Sequence, residues 1–180
     1  MESRRYGNCR MTPGGACRGG GAPVHLSRAG RESQTGRREQ LIQDDGESIP
    51  IAAGPFRFTA RFESAAAPKT CAAFRALLPY RQRIIHVRWS GEACWIPLGD
   101  LDLGLGYENH TSYPAPGQIL LYPGGISETE ILLSYGAVRF ASKMGQLAGN
   151  HFLTIASGAE NLGALGKQVL WEGAQDIVFG

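Results

Sequence analysis

Between residues 56 and 179 the chain breaks into eight short apolar stretches separated by glycine- and proline-rich turns, with only two helical patterns among them. That succession limits the fold more than any other feature. Residues 56–63 alternate apolar and polar strictly, the period of a strand with one buried face. Further strands are read at 83–89, 92–98, 118–122, 129–135, 138–142, 150–156 and 176–179, and a tight turn at Gly136 makes 129–142 a hairpin. Within 83–89, Ile85, Val87 and Trp89 share one face, and Ile84, His86 and Arg88 the other. Short strands at this spacing argue for a closed or nearly closed barrel. No internal repeat is present.

The first helix is read over 67–79. Pro68 suits a first helical position, where its fixed φ helps and no N–H is needed. Cys71, Phe74, Leu77 and Leu78 fall at spacings of three and four on one apolar stripe, and Pro79 ends the helix. A second helix runs from Glu160 to about Leu170 with Leu162, Leu165 and Val169 inward, weakened by Gly163 and Gly166.

The two parts of the chain differ in charge. Residues 1–48 hold eight arginines, no lysine and six acids, with glycine clusters and almost no aromatics. So little apolar surface does not offset the entropy of ordering, and a disordered tail is expected there. An Arg-rich segment of this kind suits RNA, anionic lipid or an import receptor, or it is an extension without a role. Residues 49–180 hold ten Lys+Arg and ten Asp+Glu, without the basic bias of a nucleic-acid binder. A single domain over 49–180 is expected. No run of eighteen apolar residues is present, so no membrane span is predicted. Cysteines at 9, 17, 71 and 94 form no metal-like or paired spacing. With no apolar signal-peptide core, the expected location is cytoplasmic.

Three groups of residues can carry chemistry. Trp89 and Trp95 flank a Ser-Gly-Glu turn: they are either a pocket wall in which Glu92 fixes a ligand's polar end, or two core residues joined by a hairpin. Glu128 and Glu130 lie two apart beside Gly124-Gly125, so as strand residues they point to one side. Paired carboxylates raise one another's pKa and supply an acid and a base, or they are solvated edge charges. His151, with Leu153 and Ile155 at period 2, is placed inward at one end of the barrel, as a general base or a structural histidine. Arg88 and Tyr122 complete the expected pocket lining, and Lys143 and Arg139 suit an anion or plain surface charge. No spacing demands a metal among His86, His151 and Glu128, so none is expected. Gly104-Leu105-Gly106 lacks the third glycine of a dinucleotide fingerprint, and no cofactor is expected. Neither Ser90 nor Ser127 sits in a nucleophile elbow.

Ala67-Pro68-Lys69-Thr70 followed by Phe74-Arg75-Ala76-Leu77 resembles the first helix of cyclophilins, with Ala73 where they carry asparagine. A longer resemblance covers about residues 54–178. It rests on Leu77-Leu78-Pro79, Trp89-Ser90-Gly91-Glu92-Ala93-Cys94-Trp95, Ser112-Tyr113-Pro114-Ala115-Pro116-Gly117, Pro123-Gly124-Gly125-Ile126-Ser127-Glu128-Thr129-Glu130 and Leu147-Ala148-Gly149-Asn150-His151-Phe152. Through these the chain is similar to a mostly bacterial family with a cyclophilin-like fold, domain of unknown function 3830. The resemblance implies an eight-stranded barrel with helices over its ends and no established activity. Where cyclophilins carry Phe-His-Arg and then Gln-Gly-Gly, this chain has His86-Val87-Arg88-Trp89-Ser90-Gly91, with the order changed and the Gln-Gly-Gly missing. Fold likeness alone carries no function.

The expectation is a mainly β, cyclophilin-like closed barrel with two helices covering the ends. It binds, and if there is chemistry transforms, a small polar metabolite at the barrel mouth. Glu128 or His151 moves the proton, and Arg88, Trp89, Glu92, Trp95, Tyr122 and Glu130 hold the ligand. A protein-interaction module is the second reading and a weak prolyl isomerase the third; self-association is left open.

Overall fold

The computed structural model describes residues 47–180. The expected tail lies outside the described residues except for Glu47 and Ser48. Eight antiparallel strands close into a barrel: β1 (Ser48–Ala53), β2 (Phe56–Phe62), β3 (Tyr80–His86), β4 (Gly91–Gly99), β6 (Gln118–Tyr122), β7 (Thr129–Val138), β10 (Gly149–Ser157) and β11 (Gln175–Phe179). Their order is β2-β1-β11-β3-β4-β7-β6-β10, and β10 pairs back onto β2. Closure leaves no long edge unpaired. The short β5 (His110–Thr111) extends the sheet beside β10, and β8 (Ala141–Ser142) pairs with β9 (Gly145–Gln146) as a separate hairpin. Helices α1 (Pro68–Arg75) and α2 (Leu162–Glu172) complete the fold.

Alternation along the strands fills the interior. Phe58, Ala60 and Phe62 of β2, Ile131 and Leu133 of β7, and Ile177 and Phe179 of β11 all enter one core. The helices plug it. Phe74 of α1 is fully buried and meets Tyr80, Phe152 and Phe179 edge-on, with centroids 5.8, 4.8 and 5.2 Å away. Leu162, Leu165 and Val169 of α2 join the same cluster. Pro68 occupies the first turn of α1, and Ala67 before it has no side chain able to cap. The cap comes from Glu108 instead, whose carboxylate accepts the Thr70 N–H. Fully buried Asn150 locks that contact. Its Oδ1 accepts from Glu108 N at 3.0 Å, and its Nδ2 donates to Thr70 Oγ1 at 3.0 Å and Gly106 O at 2.9 Å.

Three sequence expectations change. No turn forms at Gly136: β7 is one ten-residue strand running through it. A Cβ at Gly136 would collide with the Glu92 side chain, so the glycine serves close approach and not a turn. The strand expected at 83–89 begins earlier and stops at His86, which leaves Trp89 60% exposed in a loop. β1 lies before the first strand read from the pattern and contains Pro50, a residue that argues against a strand. Pro50 is tolerated because it faces β11 beyond that strand's end, where Gly180 N donates to Pro50 O and no acceptor needs its missing N–H.

Candidate functional site

The barrel wall has a second face. Along β4, β7 and β6 the side chains that alternate with the core residues point outward, and register sets them in rows. Trp95, Leu132 and Leu120 are cross-strand neighbours, and Pro97, Glu130 and Tyr122 form the next row. The segment 139–148, carrying β8 and β9, folds back over these rows. Phe140 and Leu147 pack there on Ala93, Leu120, Tyr122 and Leu132, with Phe140 edge-on to Tyr122 at 6.0 Å. Ser90 staples this flap to the loop after β3, since its Oγ donates to Ala141 O at 3.0 Å and accepts from Ala141 N at 3.1 Å. Gly149 lets the chain return, because a Cβ there would sit 2.9 Å from Leu120 Cβ.

A cavity of about 230 Å³ remains where the flap, the 87–90 loop and the 127–128 turn meet the outer wall. Arg88, Trp89, Trp95, Glu128 and Glu130 line it together with Ser90, Ser127, Ser142 and Lys143. Glu130 is only 6% exposed. Burial, and then the negative charge of Glu128, push its carboxyl up to about 8, so it holds its proton at neutral pH. Glu128 is exposed and accepts from Gly99 N at 3.2 Å. The indole N–H of Trp95 is buried and has no hydrogen-bond partner, although an amide-like donor in that position ordinarily finds one. The lining residues thus bring together a protonated buried acid, an indole whose N–H is unanswered, an exposed carboxylate and two cations.

Five of the eight site residues expected from sequence meet here, and three do not. Glu92 is exposed, its carboxylate accepting Ala137 N at 2.7 Å where β4 and β7 slip register. Tyr122 lies in the row of Glu130 but one strand over, buried outside the cavity lining, with its hydroxyl accepting Ile126 N at 3.2 Å. His151 does not point inward. A register shift in β10 between His151 and Leu153 turns Phe152 and Leu153 both into the core, so His151 faces out with Thr154. His151 Nε2 lies 2.8 Å from Thr154 Oγ1, and that hydroxyl donates to Glu63 Oε1 at 2.6 Å. Burial lowers the His151 pKa against the pull of Glu63. Burial alone would raise Glu63, but Thr154, Arg61 and His151 together bring it below the ordinary value. This chain of bonds lines none of the cavities described here.

Sequence reading weighed Ser127 only as a nucleophile and Ser90 as a nucleophile or part of the Trp89–Trp95 turn, and it overlooked Ser142 and the flap as a wall. Lys143, read as a surface charge or an anion contact, lines the cavity. The nearest signal was Ser142-Lys143-Met144-Gly145, a turn sequence of its own rather than the tail of a strand. The expected place, the barrel mouth, is filled by Phe74 and the α2 leucines. A wider depression of about 440 Å³ over β1, β2 and β11 has Arg57 as its one charged residue, and Arg57 is spent on the Gly54 and Phe56 carbonyls. His86, bonded to Val87 O at 2.8 Å and Tyr135 Oη at 2.7 Å, ties the end of β3 to β7 across the intervening β4. Among the described residues no cluster of three His, Cys, Asp or Glu side chains fits a metal, and no helix is long and apolar enough to cross a membrane.

Against known proteins, a family model described as a protein of unknown function (DUF3830) matches residues 49–180. No curated protein matches the chain. The structure of McbB in complex with tryptophan is similar at a TM-score of 0.54 and 17% identity, over 73% of this chain and 43% of that one. The chain thus spans less than half the length of McbB. The solution structure of the hypothetical protein AF2241 from Archaeoglobus fulgidus gives 0.51 at 14% identity, over 74% and 93%. A cyclophilin type peptidyl-prolyl cis-trans isomerase from Cryptosporidium parvum, solved with the dipeptide Ala-Pro, gives 0.45 at 17% identity, over 74% and 99%. At these identities the likeness concerns the fold alone.

Proposed function

The chain belongs to the DUF3830 family of proteins of unknown function, and from that premise we propose that it binds a small polar metabolite in the outer-wall cavity and exchanges a proton with it through Glu130. The observation that carries this reading is Glu130 itself: a carboxyl 6% exposed, held up to about 8, lining a cavity together with Trp95, whose indole N–H has no partner. Titratable groups displaced in this way by burial and a like charge concentrate at working sites. A pKa near the ambient pH lets one group both give and take a proton. Burial, with the charge of Glu128 second, keeps the Glu130 proton in place, so the transfer role falls to Glu130 and not to Glu128 or His151.

Size narrows the ligand. A cavity of about 230 Å³ holds about eight water volumes, the scale of a metabolite with one ring or a short chain. McbB, part of which shares the fold, was solved in complex with tryptophan, which supports a small-molecule ligand here. Free, buried Cys71 and Cys94 suit the cytoplasm, where thiols stay reduced. Exposed Trp89, Ile126 and Met144 around the flap favour, as a second reading, a partner protein docking over the same rim.

A thermal-shift screen of metabolites tests the first reading. A ligand at a hundred times its Kd is expected to stabilise the wild type by about 2.7 kcal/mol. Trp95→Ala and Glu130→Ala should each abolish that gain. A shift that survives in both variants puts binding elsewhere and ends the proposal.

A further inference from the structure

We propose that the ligand is a small organic carboxylate, its oxygens received by the Trp95 indole N–H and the Glu130 carboxyl between the cations of Arg88 and Lys143. This rests on the outer-wall cavity being a ligand site and adds the chemical class. Two aromatic residues with two glutamates also suggest the opposite, an organic cation held over Trp faces. The details decide between them.

The unanswered group in the wall is a donor, Trp95 Nε1–H, and only an acceptor satisfies it. Glu130 is a second donor while protonated, and no other described residue hydrogen-bonds to its carboxyl. A carboxylate answers both at once, and hydrogen bonds to a charged acceptor are the strong ones. An amine brings more donors to a place already holding an unpaired one, and leaves the indole N–H as it was. Charge points the same way. With Glu130 neutral, the lining residues that carry charge are Arg88, Lys143 and Glu128, two positive against one negative, and Glu128 already accepts from Gly99 N. Across the strands Glu130 faces Pro97 of β4 and Tyr122 of β6.

The sign of the pH dependence separates the classes. A bound anion needs Glu130 protonated, since two carboxylates cannot share the seat without a proton between them. Its affinity therefore falls, towards tenfold per pH unit, as pH rises above about 8. A bound cation prefers Glu130 ionised and gains affinity over the same range.

Isothermal titration of the full chain with benzoate and with benzamidine, planar probes of like size and opposite charge, reads this between about pH 6 and pH 10. Wild type, Glu130→Gln and Trp95→Phe are compared, with thermal midpoints to confirm that each folds. Benzoate is expected to bind and benzamidine not to. Benzoate should lose affinity above about pH 8 in the wild type, keep a flat pH profile in Glu130→Gln, and weaken about tenfold at every pH in Trp95→Phe. Benzamidine binding that tightens with pH and is lost in Glu130→Gln overturns the carboxylate while leaving the cavity as a ligand site. Benzoate binding untouched by both substitutions, or no binding of either probe, overturns both.

Discussion

Glu130 is placed against its own stability, which makes it the most informative single residue. In the unfolded chain its carboxyl ionises near 4.5, and in the fold near 8. Between those values the native state holds a proton that the unfolded state has released, so stability falls as pH rises through that window and levels off above it. At pH 5 the residue costs little, and above pH 8 it costs of the order of 5 kcal/mol. Glu130→Gln, isosteric and uncharged, is expected to raise stability by about that amount at pH 8.5 and to change little at pH 5. Urea unfolding at the two pH values measures the gap, and a gap of the same size at both would show that Glu130 is ionised in the fold. The sequence made the Glu128 and Glu130 pair visible, because strand alternation sends residues two apart to one side. It had no sign of which one is buried. That depends on the 139–148 flap, which returns from beyond the end of β7. His151 shows the same limit. Strict alternation set it beside Leu153 and Ile155, and one extra residue in β10 turned it outward to Thr154.

Among the elements, the start of α1 was the most legible, although the helix ends at Arg75 and not at Pro79, and its anchor was the least. Pro68 and the Cys71, Phe74 stripe lie in consecutive turns, so local chemistry shows them. The cap comes from Glu108, thirty-eight residues away, and Asn150 holds it from still further. No short-range pattern contains that contact. Asn150→Ala leaves the Glu108 N–H, the Thr70 hydroxyl and the Gly106 carbonyl without their partner, and of these Thr70 is fully buried. The expected loss is about 2–4 kcal/mol, larger than for an ordinary surface cap. Asn150→Asp restores only acceptors, so it should recover the bond to Glu108 N, and one from the Thr70 hydroxyl now donating, but not the bond to the Gly106 carbonyl. Chemical denaturation of both variants checks the order. Equal stability of Asn150→Ala and wild type would mean that α1 is held by packing alone. The β7 strand makes the complementary point. Gly136 carries the composition of a turn, yet the glycine is there because Glu92 crosses over it on the neighbouring strand.

At the scale of the whole molecule, the wall of β4, β7 and β6 serves two cores at once. Its inner face packs with Phe74 and the helices, and its outer face packs with Phe140 and Leu147 of the flap. Closure of the barrel was legible because many short strands with few helices leave few other ways to hide edges. The outer core was not, since its residues occupy the positions that alternation assigns to solvent. The two cores should open separately. The flap's own main-chain bonds, Arg139 N to Ser90 O, Phe140 N to Ser112 O and Leu147 N to Phe140 O, run to loops or within the flap and not into the ladders of β1, β2, β3 and β11. Phe140→Ala removes a ring 1% exposed, a loss of about 3 kcal/mol to the docking of the flap. Amide exchange in 139–148 is then expected to quicken by about a hundredfold, while β1, β3 and β11 keep most of their protection. Phe74→Ala, at the centre of the inner core, should lower protection throughout the barrel together. Because the flap is one wall of the cavity, Phe140→Ala should also lose ligand binding at a temperature where the barrel is still folded. Uniform acceleration in both variants would make the two cores one cooperative unit, and the cavity would then open only when the barrel unfolds.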